Sequence, residues 1–285
     1  MTLIWKGEQA AAGQSILIYC EQGLGDTIQF CRYIPMVAAK GFAVFFVIQK
    51  PLIGLLSSLH GVHKLLSTGD FMPTTDYRCS LLSLMHVFKS NINNVPCDIP
   101  YLIPDSGKEK TWLDKIGMQG FKVGVSWQGN PNAAVDIGRS FPLRLFKPVS
   151  KLPEVRLISL QKYVGVDQIP EFMQHHSLEV LEDFDAEQDR AFVDAAGVMA
   201  NLDLVITSDT AIAHLAGALG VPVWIVLQLT PDWRWTLDLP YSPWYPTMKL
   251  FRQKQDGDWE GVFEEVRIEL ELQLSNAIKY YSICN

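Results

Sequence analysis

The sequence predicts an α/β protein made of two doubly wound domains that face each other across a cleft. Short β-branched runs alternate with helical stretches in both halves of the chain, a pattern typical of parallel sheets covered by helices. At 285 residues the chain also exceeds the size of a usual single core. A polar, proline-bearing stretch at residues 96–110 separates the halves. We therefore expect an N-terminal domain over residues 1–105 and a C-terminal domain over residues 106–285.

In the first half, strands are predicted where apolar and β-branched residues cluster, with a helix between the first two of them. The predicted strands are residues 16–20, 44–48, 62–66 and 77–80. The predicted helix covers residues 27–40, and we expect it to end at Gly41 because glycine commonly terminates helices.

The second half repeats this alternation. Its predicted strands are residues 122–127, 155–160, 204–207, 223–227 and 248–251. Helices are predicted at residues 186–201 and, with an amphipathic pattern, at residues 259–274. Ligands of such sheets bind outside the carboxyl ends of the strands, so we expect a site in the cleft between the domains.

Composition argues against several classes of protein. The net charge of −7 provides no basic footprint, so neither nucleic acid nor an anionic membrane surface is expected as a partner. No apolar run reaches the ~18 residues of a membrane-spanning helix. The histidines lack further ligands at metal spacing, so no metal site is expected. Scattered cysteines without a CxxC pair predict reduced, buried thiols in a cytoplasmic protein. They are Cys20, Cys31, Cys79, Cys97 and Cys284.

The segment at residues 204–227 predicts a strand, a polar turn, a helix and a second strand. The turn contains Ser208, Asp209 and Thr210, and the helix begins near Ala211. Free amides and the positive end of the helix dipole make such a point a natural anion site. The same residue types are also ordinary helix caps, and His214 fits either a core position or a ligand contact. Local sequence alone leaves both alternatives open.

A second turn, at residues 21–26, follows the first predicted strand. Gly23 and Gly25 permit a tight turn and close approach of a ligand to the backbone. The turn is a poor dinucleotide fingerprint because the third glycine is missing, which disfavours a nicotinamide-dependent oxidoreductase. Asp26 is either a general base or the cap of the following helix.

Further polar turns follow two strands of the second half. Residues 128–132 and Arg139 come after the strand at 122–127, and Gln161 and Lys162 come after the strand at 155–160. A fixed cation such as Arg139 or Lys162 suits a diphosphate. Because these turns converge on one edge of the sheets, they predict a nucleotide or another phosphorylated ligand.

Six motifs occur in order along the chain: EQGLGDTIQF at residues 21–30, WQGNP at 127–131, RSFPL at 139–143, SLQK at 159–162, DTAIAHLAG at 209–217 and PDWRW at 231–235. This ordered set resembles the glycosyltransferase family 9 domain, which includes the lipopolysaccharide heptosyltransferases. The resemblance covers roughly residues 3–272 and is strongest to the branch often fused to tetratricopeptide repeats.

The resemblance implies the GT-B fold, two Rossmann-like domains with the acceptor held by the first and a nucleotide-sugar donor by the second. It also implies inverting, metal-independent transfer to a hydroxyl of a cell-envelope glycan, a lipid-linked acceptor or a protein, without a cofactor. Asp26 matches the catalytic base. The implied donor-binding residues are Trp127, Gly129, Asn130, Arg139, Gln161, Lys162, Ser208, Asp209, Thr210, Ala211 and His214. The implied acceptor-binding residues are Gln22, Gly23, Leu24, Gly25 and Thr27.

The chain departs from the family pattern in two places. Residues 132–136 lack the expected histidine and acidic pair, and residues 228–230 replace a small, glycine-like turn. A non-catalytic nucleotide-sugar-binding or scaffold module is therefore the alternative to a transferase. Acceptor recruitment is expected to belong either to another chain, such as a tetratricopeptide-repeat partner, or to a lost segment.

Overall fold

The computed structural model describes residues 2–132, 136–186 and 190–283. Its described part contains two parallel sheets of five strands each, which confirms the predicted α/β class. The strands are Leu3–Ile4 (β1), Ser15–Tyr19 (β2), Ala43–Ile48 (β3), Lys64–Ser67 (β4), Tyr77–Ser80 (β5), Phe121–Ser126 (β6), Val155–Ser159 (β7), Leu204–Thr207 (β8), Val223–Leu227 (β9) and Met248–Arg252 (β10).

Helices connect most of these strands, as the alternation predicts. The α-helices are Leu24–Phe30 (α1), Ile34–Ala38 (α2), Ile53–Leu56 (α3), Ser83–Val87 (α4), Ser106–Ile116 (α5), Ile169–Met173 (α6), Val193–Met199 (α7), Ala211–Ala218 (α8) and Trp259–Ile283 (α9). Their lengths differ from the predicted ones, because apolar periodicity locates a helix better than it locates the ends.

The strand order places one topological switch point in each sheet. The first sheet runs β1-β5-β2-β3-β4 and the second runs β10-β9-β8-β6-β7, with every pair parallel. In the first sheet, β3 and β4 follow β2 on one side, whereas β5 lies on its other side, so the switch point is between β2 and β5. In the second sheet, β7 lies on one side of β6 and β8 on the other, so the switch point is between β6 and β8. Ligands of open parallel sheets bind at the carboxyl ends of strands at such points.

The predicted helix at residues 27–40 is divided and begins earlier than its apolar face indicates. Gly23 is extended and its amide donates to the Asp26 carboxylate, so α1 starts at Leu24. A 3₁₀ turn at Cys31–Tyr33 then leads into α2, whose first turn contains Pro35. Proline suits this position because it has no amide hydrogen to donate.

The predicted helix at residues 186–201 is also shorter. Helix α7 begins at Val193, because the preceding Phe192 has a left-handed backbone with φ of 68°. Residues 187–189 of this prediction lie outside the described residues. At the other end of the chain, α9 extends past the predicted residue 274 to Ile283.

The two sheets share a packed interface. Strands β8 and β9 are buried on both faces, as expected for central strands covered by helices. Helix α1 contacts α8, and α3 contacts α7, so one apolar core extends from the first sheet to the near face of the second. A separate core fills the far face of the second sheet beneath α9. The division into domains at residue 105 stays a prediction.

The cysteines are free among the described residues, and Cys284 lies outside them. Cys31 and Cys79 are buried as predicted, whereas Cys97 is exposed. Within residues 2–132, 136–186 and 190–283, no helix is both long and apolar enough to cross a membrane.

Candidate functional site

The turn between β8 and α8 presents polar groups that lack protein partners. The Ser208 hydroxyl and the Thr210 hydroxyl are both buried without a hydrogen-bond partner in the described chain. Thr210 occupies the N-cap position of α8, yet its side chain makes no capping hydrogen bond. A buried unsatisfied hydroxyl is costly unless a ligand or water bonds to it. The cap alternative therefore does not account for Thr210.

The loop after β6 lies directly against this turn. A Cβ atom at Gly129 would stand 2.5 Å from Asp136 Oδ1, 3.1 Å from Arg139 Nη2 and 3.4 Å from Thr210 Cγ2. Only glycine permits such close packing of the two turns. Arg139 Nε donates to Asp136 Oδ1 at 3.0 Å, and Ser140 Oγ donates to the same oxygen at 2.8 Å. The guanidinium of Arg139 is thus held beside the start of α8. Residues 133–135, within the departure from the family pattern, lie outside the described residues.

These two turns leave β6 and β8, the strands that flank the switch point of the second sheet. The start of α8 adds amides that no helical carbonyl accepts from, together with the positive end of the helix dipole. Arg139, orphaned hydroxyls and free amides meet at one place. The arrangement suits a diphosphate.

Asp26 faces this place from the first half of the chain. The Gly23 amide donates to its Oδ2 at 2.9 Å, so the carboxylate caps α1. Its other oxygen, Oδ1, is ion-paired with Arg234 Nη2, which comes from the loop after β9. Both sequence-based alternatives for Asp26 therefore retain support, because it caps the helix and also faces the second half.

Arg234 was not among the residues predicted for the site. Its Nε donates to Gln29 Oε1 at 2.6 Å and its Nη1 donates to Asp232 Oδ1 at 2.9 Å. Its guanidinium lies 4.8 Å from the ring centroid of Trp233. The available signal was its place in the motif at residues 231–235, but nothing local to that motif indicates a partner 208 positions away.

Asp209 in the turn before α8 and His214 within α8 have shifted pKa values. Burial raises the pKa of Asp209, although Arg139 and Arg234 partly oppose the rise. Burial lowers the pKa of His214 well below its ordinary value, and nearby arginines, Arg234 first, add to this effect. The imidazole is therefore neutral at neutral pH. His214 Nδ1 is hydrogen-bonded to Tyr245 Oη at 3.0 Å, and its ring stacks on Trp235 at 5.4 Å.

Four predicted donor residues, Trp127, Asn130, Gln161 and Lys162, each use at least one polar side-chain atom in a hydrogen bond within the protein. Gln161 Oε1 accepts from three groups at residues 126–128, and its Nε2 donates to two carbonyls. Lys162 Nζ donates to Phe184 O at 2.7 Å. Trp127 is fully buried and its indole donates to Gly165 O, while Asn130 is exposed and accepts from the Asn132 amide. Through these hydrogen bonds Gln161 stabilises the turn that follows β6.

The predicted acceptor residues form the turn between β2 and α1. Gln22 and Gly23 are exposed at the strand end, Leu24 is half-buried, and Thr27 is buried with its hydroxyl donating to Gln49 Oε1 at 2.9 Å. Gly25 packs against the second half of the chain. A Cβ atom there would lie 2.9 Å from His214 Cδ2 and 3.4 Å from Ala211 Cα. Within the described ranges, no group of three or more His, Cys, Asp or Glu could hold a metal ion.

Comparison with solved structures shows which known fold the two sheets form. The chain is similar to a glycosyl transferase family 9 structure from Veillonella parvula, with a TM-score of 0.62, 11% identity and 88% of each chain covered. It is equally similar to the E. coli ADP-heptose lps heptosyltransferase II, with a TM-score of 0.62, 11% identity and coverage of 92% of this chain and 99% of that one. The chain has the GT-B fold.

This result confirms the GT-B fold that the sequence motifs imply. Among curated proteins the chain is similar to Protein FlbA of Caulobacter vibrioides, with 27% identity over 288 residues and 93% of this chain covered. The match covers 48% of FlbA, so the chain spans about half the length of that relative. No family model matches the chain.

Proposed function

We propose that the chain is an inverting, metal-independent glycosyltransferase that moves a sugar from a nucleoside diphosphate sugar to a hydroxyl acceptor. The observation that carries this proposal is the α8 turn. Its orphaned hydroxyls, free amides and Arg139 surround a point suited to a diphosphate, and Asp26 faces that point from the first half. The GT-B fold supports it, since solved glycosyltransferases share that fold.

In the proposed reaction Asp26 accepts the proton of the acceptor hydroxyl. The acceptor oxygen forms a bond to the anomeric carbon while the bond from that carbon to the diphosphate oxygen breaks. Attack from the side opposite the diphosphate inverts the anomeric configuration. The α8 amides, the Thr210 hydroxyl and Arg139 stabilise the negative charge that develops on the leaving diphosphate, the role a metal ion has in other transferases.

The donor is proposed to be a nucleoside diphosphate sugar carrying a heptose-like sugar or a hexose. ADP-heptose is the first candidate to test, because it is the donor named for the heptosyltransferase with the similar fold. Asp209, Ala211 and His214 are proposed to shape the donor turn. The internal bonds of Gln161 and Lys162 support a positioning role for both, and Trp127, Gly129 and Asn130 are proposed to form the wall of the site.

The acceptor is proposed to bind at the switch point of the first sheet. A cavity of about 560 Å³ opens beside it, at the carboxyl ends of β1, β5 and β2 and against α4. Lys6, Arg78 and Lys89 line it, which favours an acceptor with an anionic group on a glycan, a lipid-linked sugar or a protein. The turn at residues 22–27 would then bring the acceptor hydroxyl to Asp26. A tetratricopeptide-repeat partner stays a proposal for how the acceptor is recruited.

One observation favours a non-catalytic nucleotide-sugar-binding module. The ion pair with Arg234 occupies Asp26 Oδ1, and Oδ2 accepts from the Gly23 amide, so both carboxylate oxygens are bound within the protein and neither is open to an acceptor hydroxyl. The two candidate functions share the donor site and differ only in turnover.

The donor site is tested with ADP, UDP and GDP by thermal unfolding, each in the presence of excess EDTA. Ligand at a hundred times its Kd stabilises the folded state by about 2.7 kcal/mol, so we expect the melting temperature to rise by several degrees with one of them. EDTA should not abolish this rise, because protein groups stabilise the diphosphate. No stabilisation by any of the three nucleotides would contradict the donor site.

Catalysis is tested with Asp26→Asn. We expect release of nucleoside diphosphate from the sugar nucleotide to fall by about 10²–10⁴-fold, the usual contribution of a general base. The amide keeps an oxygen that can accept from the Gly23 amide, so folding should be retained. A variant with unchanged turnover per folded molecule would leave Asp26 as a helix cap only. A wild-type protein that binds nucleotide and never turns over would favour the non-catalytic module.

A further inference from the structure

Arg234 joins the two halves of the chain at the candidate base. Its guanidinium bonds to Asp26 and Gln29, which belong to α1, and to Asp232 of its own loop. It is packed between the rings of Trp233 and Phe30, whose centroids lie 4.8 and 5.7 Å away. One cation is therefore shared by two carboxylates from opposite sides of the interface.

The same guanidinium lies beside the proposed diphosphate position. The backbone of α1 reaches the start of α8 at Gly25, where a Cβ atom would stand 3.6 Å from the Ala211 amide nitrogen. The next residue along the chain is Asp26, to which Arg234 is bound. On the other side Trp235, which follows Arg234, stacks on His214 of α8. Arg234 and Arg139 thus lie on two sides of the α8 turn.

One side of Arg234 borders a cavity of about 290 Å³, lined by Met85, Asn91 and Val95 of the first half and by Trp233 and Trp244 of the second. Gln29, whose Oε1 accepts from Arg234, has its Nε2 buried without a hydrogen-bond partner in the described chain. A dianionic diphosphate at the α8 turn attracts a guanidinium more strongly than a single carboxylate does, and it can accept two parallel hydrogen bonds from it.

We propose that Arg234 is a positioning residue that exchanges partners when the donor binds. Its guanidinium moves from the Asp26 carboxylate to the diphosphate. This inference rests on the proposed function. Before donor binding, Arg234 is paired with Asp26 Oδ1 and keeps an acceptor hydroxyl from reaching that oxygen. After donor binding, Arg234 adds to the charge stabilisation of the leaving group, and Asp26 Oδ1 is released to accept the proton of the acceptor hydroxyl. Proton removal thereby depends on an occupied donor site.

The proposed exchange predicts opposite changes in nucleotide affinity when the two partners of the ion pair are replaced one at a time. Arg234→Gln removes a cation from the diphosphate and should weaken the binding of ADP, UDP or GDP, whichever binds tightest, by about tenfold or more. Asp26→Asn removes the competitor for Arg234 and should tighten the binding of that nucleotide several-fold. In the double variant the gain from Asp26→Asn should disappear, because no guanidinium is left to be released.

Titration calorimetry on the wild type, the two single variants and the double variant measures their nucleotide affinities. Thermal unfolding checks that each variant is folded. Arg234→Lys keeps a cation and should restore part of the affinity. Arg144→Gln, which breaks an exposed pair with Glu260, is the matched control and should leave nucleotide affinity unchanged.

Equal nucleotide affinities in the wild type and Arg234→Gln would overturn the exchange, as would weaker or unchanged binding by Asp26→Asn. If Arg234→Gln does not fold, Asp26→Asn and Arg234→Lys decide the question in the same way. Failure of the wild-type protein to bind any of the three nucleotides is a different result. It would overturn the proposed function and this inference together.

Discussion

At the scale of single residues, the hydroxyl of Thr210 distinguishes a ligand site from a helix terminus. A capping threonine donates or accepts within its own first turn, whereas this hydroxyl is buried and bonds to nothing in the described chain. Leaving such a group unsatisfied in the unliganded protein costs stability. A diphosphate oxygen would satisfy it, which gives the residue a physical reason to be threonine.

Replacing Thr210 with valine tests this reading, because valine keeps the shape and removes the hydroxyl. A hydrogen bond to a charged group contributes about 1.5–3 kcal/mol, so nucleoside diphosphate affinity should fall about ten- to a hundredfold. The melting temperature of the free protein should stay level or rise, since no protein partner is lost. Thr111→Val, on the exposed surface of α5, is the control for titration calorimetry. Equal affinities in the wild type and the Thr210 variant would contradict the diphosphate assignment.

At the scale of elements, α7 begins under an unusual cap. Asp185 Oδ1 accepts from the amides of Asp194 at 2.9 Å and Ala195 at 3.4 Å. The carboxyl group is buried, and burial raises its pKa to about 6, with nearby Asp194 adding to the rise. The cap therefore takes up a proton in the folded state at a pH where the unfolded chain has lost it.

This raised pKa predicts a loss of stability with rising pH. The unfolded aspartate has a pKa of about 3.9, so the contribution is complete below that pH and is lost as the pH passes through about 6. Between pH 5 and pH 7.5 the loss should be about 1–1.5 kcal/mol. Asp185→Asn cannot titrate and should lack this part of the pH dependence, as measured by urea unfolding at both pH values. Asp114→Asn, at an exposed position of α5, is the control and should lose as much free energy of unfolding between the two pH values as the wild type. The same loss in all three proteins would contradict the prediction.

At the scale of the whole molecule, Arg32 ties three parts of the chain together. Its guanidinium donates to Gln29 O of α1, to Pro96 O and Tyr101 Oη of the connecting stretch, and to Trp244 O of the second half. It also lies over the rings of Tyr101, Tyr245 and Trp244. A buried cation with this many donors stabilises one particular docking of the two halves, because another arrangement would leave its donors unsatisfied.

Arg32→Lys should be far from conservative, because an ammonium group cannot reproduce the planar set of donors. Loss of at least one bond between a charged group and a buried carbonyl predicts a decrease of about 2–4 kcal/mol in the free energy of unfolding. Urea unfolding measures the change. Arg267→Lys, whose partners on α9 are exposed glutamates, should change stability by less than about 1 kcal/mol. Similar losses in the two variants would show that Arg32 does not organise the interface.

Local patterns in the sequence were sufficient for the fold class and for most strands. Strands β5 and β9 match their predicted residues, because buried parallel strands form short apolar runs bounded by turn residues. The two-residue β1 was not predicted, since an exposed edge strand of that length has no periodicity to recognise. The turns after β2 and β8 were also located correctly, because glycine and hydroxyl residues mark the ends of strands.

The tertiary structure alone decided which polar side chains face one another. The sequence predicts Arg139, Gln161 and Lys162 alike as donor-binding residues. In the structure, however, the polar atoms of Gln161 and the ammonium group of Lys162 form hydrogen bonds within the protein. Arg234 reaches Asp26 only because α1 and α8 pack together at Gly25. Residue patterns report on neighbours within a few positions along the chain, whereas the contacts of this site depend on how two separate sheets stack.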